Sequence, residues 1–599
     1  MESKNLKRAI YYIAQAMVVL LVASVTLKLW EYDLRVPFNY SGDSVVILMY
    51  VKAIIQNGWT FVIPQLSAPY SMSAAAFPLA TSIDWGVMKV ISLFTSEPGT
   101  VLNVFWFLTL VFSAWGATLS MNLLGLNKWV SFATGVLFAF LPFALLRNVS
   151  HLNLVYYTVP FLSLLAIHIM IGNDSSLKNK LVIRRIGYVA CFIQGFNYIY
   201  FSFFAVFLFC FAAAVSYSKT KSRKMVRVAM IAISIISMAT LLNLSPSFIS
   251  WYQHGKPPEM GYKHIAEAEI FGAKMRKMIA PHPDNPIYIF SKWGKRDFSA
   301  NFPNENENVT VRLGLYASAG FLFLLLVSLS LIRVGSRLIS SVAILSLFTL
   351  LMITVGGGGA IFNLLVVPDI RAYNRFSVFI AFFSMVGIGW WVTQKVLDAK
   401  GKLNARFLLV GIAGLITLSL YDQLLDAKGL LHTQKNDMRS ANQERGFVRE
   451  LERNYPEELN VFQLPVTGFP PLSVHERMFS YDHLKPYLWS THLNWSWPSF
   501  SQAHRNWQDK VSVLEGHDLL RALVLSGFDL IWLDNYAYKD SGEFLKKQLL
   551  DAGASEVMLG GSERYTILDI LAVKEQLLRR MGDDEFQTES DKLLAGFRY

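Results

Sequence analysis

Between its long apolar runs this chain places its lysines and arginines in every second gap, and that alternation restricts it to one broad architecture. Apolar stretches of spanning length begin near Ile10 and recur as far as Tyr421. The gaps Lys4–Arg8, Lys178–Arg185, Lys219–Arg227, Arg333–Arg337 and Lys395–Arg406 hold most of the short-loop Lys and Arg. A helix needs about 20 apolar residues to cross the hydrocarbon core. Positive side chains resist translocation, so basic short loops remain cytoplasmic. The alternate gaps carry Asp43, His151, a long segment from Ser245 to Arg312 and a cluster at Asp369–Arg375. These are expected on the exterior face, together with the polar C-terminal part. The pattern predicts a polytopic α-helical membrane protein whose chemistry is extracytoplasmic.

Eleven spans are predicted, at 9–29, 100–122, 127–147, 152–172, 185–199, 200–217, 226–244, 313–332, 338–355, 374–393 and 404–421. The fifth and sixth are divided at the polar patch Gln194–Asn197, where a re-entrant hairpin fits as well. With the N-terminus inside, this count puts every basic loop inside and the C-terminal part outside. Residues 75–96 are apolar but carry Asp84 and Lys89, and counting them as a span would invert the parity. They are expected to lie in the outer interface with their charges among the headgroups. Asp43–Asn57 shows apolar residues at helical spacing and reads as a second surface-lying, amphipathic helix. The chain thus divides into a transmembrane part, 1–421, with exterior loops at 30–99 and 245–312, and an exported α/β domain at 422–580. A loose acidic tail, 581–599, follows. Strands are expected at Asn460–Leu464, Asp529–Leu533, Glu556–Leu559 and Tyr565–Asp569, and helices at Asn442–Arg453, His517–Leu525 and Gly542–Ala552.

With 53% hydrophobic and 16% charged residues in 599, the chain is too apolar for an ordinary soluble enzyme. Its net charge of +12 sits in short clusters beside spans, which suits anionic lipid headgroups and argues against nucleic acid. Cys191 and Cys210 fall in apolar runs and make no disulfide framework or metal motif. Met1–Leu29 lacks a small-residue cleavage site and reads as a retained first helix.

Within the exterior segments, Asp43 stands at the start of its helix, in NYSGDS. A carboxylate just above the hydrocarbon suits a general base, since desolvation raises its pKa; it also suits a helix cap. The short loop RNVSHLNLVYY compresses Arg147, Asn148, His151 and Asn153 between two spans. His151 and Asn153 are candidate ligands of a lipid-linked phosphate, with an ordinary interfacial turn as the alternative. The sharpest cluster is PDIRAYNRF, where Arg371, Asn374 and Arg375 open a span. Arginine offers planar paired donors matched to phosphate, and a helix start favours an anion. A structural Asp369–Arg371 pair is the simpler account. In the 245–312 loop, Glu305 and Glu307 alternate with asparagines and are candidate acceptor contacts. Its histidines and carboxylates leave a divalent metal conceivable, but no spacing matches a ligand motif. Trp489, Trp495 and Trp497, in an aromatic-rich stretch of the α/β domain, are candidates for stacking acceptor sugars, or else core.

Taken together, these features resemble the C-type membrane glycosyltransferases (GT-C). That multispanning group includes protein mannosyltransferases, lipid A aminoarabinose transferases and oligosaccharyltransferase subunits. The likeness covers the membrane part, most specifically Asp43 with DSVVILMYVKAIIQNGW and the 75–96 segment. SHLNLVYYTVPF, PDIRAYNRFSVFIAFF and LNVFQLPVTGFPP look closer still to a bacterial group loosely labelled sugar translocase or phosphoglycerol-transferase-like. The GT-C resemblance implies a polyprenyl-phosphate sugar donor, transfer on the outer face and an acidic catalytic residue in the first exterior loop, where Asp43 stands. The chain departs from the pattern twice. Ser44 replaces the second acid of a common Asp-Glu pair, and His151 and Asn153 occupy a loop where some members carry another carboxylate.

The expectation is therefore a glycosyltransferase of the bacterial inner membrane, N-terminus cytoplasmic and α/β domain periplasmic. It would move a sugar from a polyprenyl-phosphate donor to a glycan or glycolipid acceptor in surface-polysaccharide or lipopolysaccharide assembly. The alternatives are a lipid-linked sugar translocase and a non-catalytic assembly protein.

Overall fold

The computed structural model describes residues 2–77, 79–172, 177, 179–257, 263–303, 305–398, 405–469, 475–499, 501–560 and 562–595. Its helical body opens with α1 (Glu2–Thr26), α2 (Asp43–Asn57), α3 (Ser82–Ile91), α4 (Pro98–Leu123), α5 (Lys128–Ala139), α6 (Pro142–Arg147) and α7 (Val159–Ile171). It continues through α8 (Lys180–Gly195), α9 (Ile199–Thr220), α10 (Lys224–His254), α11 (Glu267–Ile270), α12 (Met275–Ile279) and α13 (Tyr288–Ser299). The last helices of the body are α14 (Gly314–Ser328), α15 (Arg337–Ile353), α16 (Gly358–Leu365), α17 (Ser377–Asp398) and α18 (Ala405–Leu424). Among the described residues, seven helical runs are long and apolar enough to cross a membrane: 5–26, 98–123, 128–154, 199–220, 224–254, 373–395 and 410–454. Seven of the eleven expected spans fall on these runs, those at 152–172, 313–332 and 338–355 fall on the shorter apolar helices α7, α14 and α15, and the one at 185–199 falls on α8, which belongs to neither group. Pro142 begins α6 directly after α5, because a proline has no N–H to continue the helical ladder.

Small and polar residues hold the body together. A Cβ on Gly320 would sit 2.0 Å from the Ser384 carbonyl oxygen, so the α14–α17 contact is built on backbone approach. Gln15, wholly buried in α1, donates to Thr118 Oγ1 at 2.6 Å and to the Phe132 carbonyl at 2.9 Å. The opposite side of α1 exposes Leu6, Ile10, Ile13, Met17 and Leu21, a stripe at helical spacing suited to lipid.

Two helices of the first loop differ from the surface-lying pair expected. From Ser44 to Ile54 every residue of α2 is buried. Its sequence, SVVILMYVKAI, is apolar around the whole circumference, and such a helix needs cover on all sides. In α3, Asp84 is 1% exposed rather than among headgroups. It accepts hydrogen bonds from Thr81 Oγ1 and from Tyr157 Oη at 2.8 Å. Lys89 donates to the Ile54 carbonyl at 2.8 Å, closing the end of α2.

The boundary expected at 421/422 lies inside one helical run, 410–454, in which α18 passes almost directly into α19 (Lys428–Asn454). The α/β domain then forms a mixed sheet from β3 (Asn460–Leu464), β4 (Asn494–Trp495), β5 (Leu530–Asp534), β6 (Ser555–Val557) and β7 (Tyr565–Asp569), in the order β4-β3-β5-β7-β6. The strands β1 (Val62–Ile63) and β2 (Met72–Ser73) belong to a small hairpin in the first loop. Strand β3 runs parallel to β4 and β5, while β7 is antiparallel to β5 and β6. Alternate residues serve two cores. Phe462, Ile531, Leu533 and Leu568 pack with Trp507, Leu520 and Leu523, whereas Val461, Trp532 and Ile567 join the large core that includes Phe447 and Leu451 of α19. The C-terminal segment, expected to be loose, is helical over Asp583–Ala595. There Phe586 packs against the second core, an anchor that outweighs the acidic composition; residues 596–599 lie outside those described.

Candidate functional site

The site forms where the start of α2 meets three loops of the helical body. Gly42, with φ +58°, takes the N-cap position, and no side chain caps this end. Asp43 is thus the first helical residue, and its carboxylate is not committed to a cap. The helix start stabilises its negative charge. Burial by surrounding protein raises its pKa above the ordinary aspartate value; Arg375 and Arg371 pull it down and Glu307 pushes it up. The side chain keeps 54% of its surface open, so the carboxylate lines a recess and remains reachable.

His151 approaches from the 3-10 segment Asn148–Leu154, which joins α6 to α7. Its backbone breaks the helical path at φ −123°, ψ 46°, and brings Nε2 to 3.7 Å from Asp43 Oδ2. Asn153 is half-buried two residues further on. Beside them, Arg147 and Arg375 are 3% and 9% exposed. Both are gathered by Glu307, from the 3-10 segment Asn306–Val311: Arg147 Nη2 donates to Oε2 at 2.7 Å and Arg375 Nη2 to Oε1 at 3.3 Å. Arg147 also donates to Thr310 Oγ1 at 3.0 Å. The Arg375 guanidinium lies over the Tyr200 ring, 4.4 Å from its centre, and that of Arg147 over Phe143 at 4.9 Å. Burial alone would raise the Glu307 pKa, but Arg147 and Arg375 override it and hold the group at about 2.

Two buried cations thus share one carboxylate. Each arginine retains a buried Nε with no hydrogen-bond partner, and Asn374 is wholly buried with both side-chain polar atoms unpartnered. Unmade hydrogen bonds of this kind are costly and rare in native interiors. Arg371 stands at the rim, 39% exposed, donating to Glu267 Oε2 at 2.6 Å with its guanidinium 4.9 Å from the Phe271 ring centre. Glu267, rather than Asp369, is therefore its carboxylate partner. Beside His151 and Arg147 lies a narrow pocket walled by Trp106, Leu110, Phe143 and Tyr156. No group of three or more His, Cys, Asp or Glu suited to a metal ion occurs among the described residues.

The remaining candidates are redistributed. Glu307 sits between the arginines, not on an acceptor edge. Glu305 is committed to Arg276 and to Lys277, the latter at 2.8 Å, in a cluster with Asp297. Trp495 and Trp497 are core residues, 0% and 2% exposed; Trp495 packs on Trp532 and Trp497 donates to the Thr467 carbonyl. Trp489 donates to Tyr40 Oη at 2.8 Å, so its polar edge serves a joint between the domains. Residues that sequence reasoning passed over are Tyr198 and Tyr200, just beyond the polar patch that divides α8 from α9, whereas Tyr481 of the α/β domain belongs to the aromatic stretch singled out for sugar stacking.

The α/β domain is stitched to α2 and its loop at three places. Tyr40 Oη donates to Glu444 Oε2 of α19 at 2.6 Å. Lys52, 4% exposed, donates to the carbonyls of Tyr487 and Ser490, the latter at 2.6 Å, in and after α20 (Leu484–Trp489). Ala68 N and Gln65 O bond to the backbone of Trp495 at 3.0 and 2.8 Å, extending the sheet beyond β4.

No protein-family sequence model matches this chain, and no curated protein sequence matches it. Its fold, however, is shared over most of its length with GT-C glycosyltransferases. ArnT from Cupriavidus metallidurans superposes with a TM-score of 0.53 in the apo state and 0.52 when bound to undecaprenyl phosphate. Identity is 11% in both, covering 95% of this chain and 99% of ArnT in the first case, 94% and 98% in the second. The arabinofuranosyltransferase AftD from Mycobacteria gives 0.49 at 12% identity, covering 94% of this chain, which spans 40% of AftD.

Proposed function

We propose that this protein is a membrane glycosyltransferase that moves a sugar from a polyprenyl-phosphate donor to a glycan or glycolipid acceptor. The face bearing Asp43 and the α/β domain is the periplasmic face of a bacterial inner membrane. One observation carries the reading: an accessible carboxylate at a helix start pairs with His151, beside two buried arginines that share the Glu307 carboxylate. Asp43 takes the proton of an acceptor hydroxyl as its oxygen attacks the anomeric carbon. The bond from that carbon to the phosphate breaks, and its electron pair leaves with the phosphate. Arg375 and Arg147, with Arg371 at the rim, hold the phosphate and stabilise the charge that develops on it. His151 and Asn374 supply further polar contacts, and the donor's lipid lies on the side of the helical body.

Asp43→Asn tests this. The full chain in nanodiscs, given a polyprenyl-phosphate sugar and glycan acceptors, should transfer sugar, and the Asn variant should bind undecaprenyl phosphate as wild type does but transfer nothing. Because the Asp43 pKa is raised, wild-type activity should fall on the acid side at a pH above the usual aspartate range. An Asn variant with near-full activity would remove Asp43 as the base.

A further inference from the structure

Helix α13 turns large apolar side chains away from the protein rather than into it. Tyr288 and Ile289 are 75% and 73% exposed and Trp293 is 41% exposed. Among them stand Lys292, Lys295 and Arg296, all exposed. At 3.6 residues per turn these six positions fall within an arc of about 160°, so cations and apolar groups are interleaved on a single face. The other face is the packed one. A Cβ on Gly294 would come within 2.6 Å of the Pro281 carbonyl oxygen, and Asp297 pairs with Arg276 and, at 2.6 Å, with Lys277. The one carboxylate of the helix is thus already committed on the side away from the three cations. Asp284, just before the helix, is likewise paired with Lys428 at 2.9 Å.

Hydrogen bonds fix where α13 stands relative to the spans. Leu313 N, beside the start of α14, donates to the Met278 carbonyl of α12 at 2.9 Å, and Ala273 N donates to the Ile353 carbonyl at the end of α15 at 2.7 Å. Asn285 donates to Asp422 Oδ1, in the last turn of α18, at 2.7 Å. The α12–α13 unit therefore lies level with the ends of these helices, on the side where Glu307 and Asp43 stand. Helix α18 is peripheral, with Val410 and Tyr421 exposed along it, so lipid begins beside α13. Cations on the cytoplasmic side follow from the rules of insertion, but three on this side need a partner of their own. A surface both negative and partly apolar meets the need. The headgroup layer of a membrane containing anionic phospholipid is such a surface: its phosphates match Lys and Arg, and Trp and Tyr rings settle at its depth.

We propose that α13 docks on the headgroups of anionic phospholipid, on the membrane face that bears Asp43. The packed face of the helix carries this contact towards the site. Lys277, which holds Asp297, also holds Glu305 at 2.8 Å, two residues before the Glu307 that gathers Arg147 and Arg375. The lipid surface thus steadies the segment that supplies the shared carboxylate.

The test uses the full chain with Cys191 and Cys210 replaced by alanine and an environment-sensitive fluorophore on Ile289→Cys. Nanodiscs of phosphatidylcholine, alone or mixed with phosphatidylglycerol, carry a lipid with a nitroxide on its headgroup. With phosphatidylglycerol present, quenching should be about threefold or more that of a probe on Phe544→Cys. That control lies in the helix Glu543–Asp551, whose Leu549 packs in the core on the far side of the sheet from α19. Without phosphatidylglycerol the Ile289→Cys quenching should fall by about half or more. Combining Lys292→Glu, Lys295→Glu and Arg296→Glu should erase the difference between the two lipid mixtures and leave heat stability in detergent unchanged, because all three side chains lie off the packed face. Were the triple variant less stable, the comparison of the two mixtures in the parent chain would still decide. Equal quenching in both mixtures, quenching no greater than at Phe544→Cys, or a triple variant that keeps its preference for phosphatidylglycerol would overturn the proposal. A probe that stays in water yet responds to a soluble acidic polysaccharide would assign the face to an anionic glycan and overturn it too.

Discussion

Replacing Glu307 by glutamine removes the carboxylate that holds Arg147 and Arg375 together. The cost follows from the ionisation of that group. Its pKa is lowered from 4.5 to about 2, the two arginines prevailing over burial. A difference of roughly 2.5 units corresponds to about 3 kcal/mol at neutral pH, in the range of about 3–5 kcal/mol for removing one partner of a buried pair. The glutamate is 22% exposed, so screening brings the expectation below that range, to about 2–3 kcal/mol. A carboxyl whose folded pKa is depressed contributes stability above its unfolded value and loses it as pH falls through the folded one. The deficit of Glu307→Gln, measured by urea titration in mild detergent, should therefore be full from pH 7 down to about 5 and shrink towards pH 2. The variant also leaves two buried guanidinium groups without a counter-charge, so undecaprenyl phosphate should stabilise it more than it stabilises wild type. A variant as stable as wild type at pH 7, or one no better stabilised by the lipid phosphate, would show that the arginines are not an anion site held in reserve by Glu307.

Arg375→Lys should weaken binding of undecaprenyl phosphate because it keeps the charge but loses the forked donors, and Arg375→Ala should be worse by about 2–5 kcal/mol. Arg333→Ala, far from the site, serves as control, and equal affinity in Arg375→Ala would reduce Arg375 to a packing role. An impermeant thiol reagent applied to single-cysteine variants in spheroplasts should label positions Ser41, Ser299 and Ser541 but reach Ser222 only after permeabilisation; labelling at Ser222 in intact spheroplasts would invert the topology. Tyr40→Phe removes a buried bond to Glu444 and should lower kcat with little change in lipid-phosphate affinity. Its effect should not add to that of Glu444→Gln, since the two share one bond, and full additivity would sever the link.

How far the sequence disclosed this molecule varies with the physics of each part. Strands β3 and β7 coincide with their expected bounds because each is a short apolar run between turn residues. Helix α2 was legible as a helix but not as a buried one: Lys52 made it look amphipathic, and only the carbonyls of Tyr487 and Ser490 show how a lysine is accommodated inside. Loop parity put Asp43, His151, Arg371 and Arg375 on one face, and the fold does bring them together. The carboxylate binding the arginines was within reach but misassigned. Glu305 and Glu307 lie two positions apart in an alternating segment, and nothing local says which turns inward. The tryptophans failed for a more general reason. A cluster of large aromatic side chains is equally good core and equally good sugar platform until its burial is known, and Trp495 and Trp497 prove to be core.

The α/β domain has more to do with Asp43 than its distance along the chain suggests. A helix with one apolar face can rock about its axis while that face stays covered; one that is apolar all round cannot, because every rotation has a buried side chain to move. In α2 the cover on one side is the α/β domain, and the joint is polar where it must be specific. Tyr40, three residues before Asp43, is fixed by Glu444 and Trp489, and Lys52 by two carbonyls at α20, with burial pushing its pKa down to about 7. Glu444 in turn accepts from Tyr565 Oη on β7, so the tie runs into the sheet. The direction of the Asp43 carboxylate is therefore set from both sides, by the 3-10 segments of the helical body and by the docked domain.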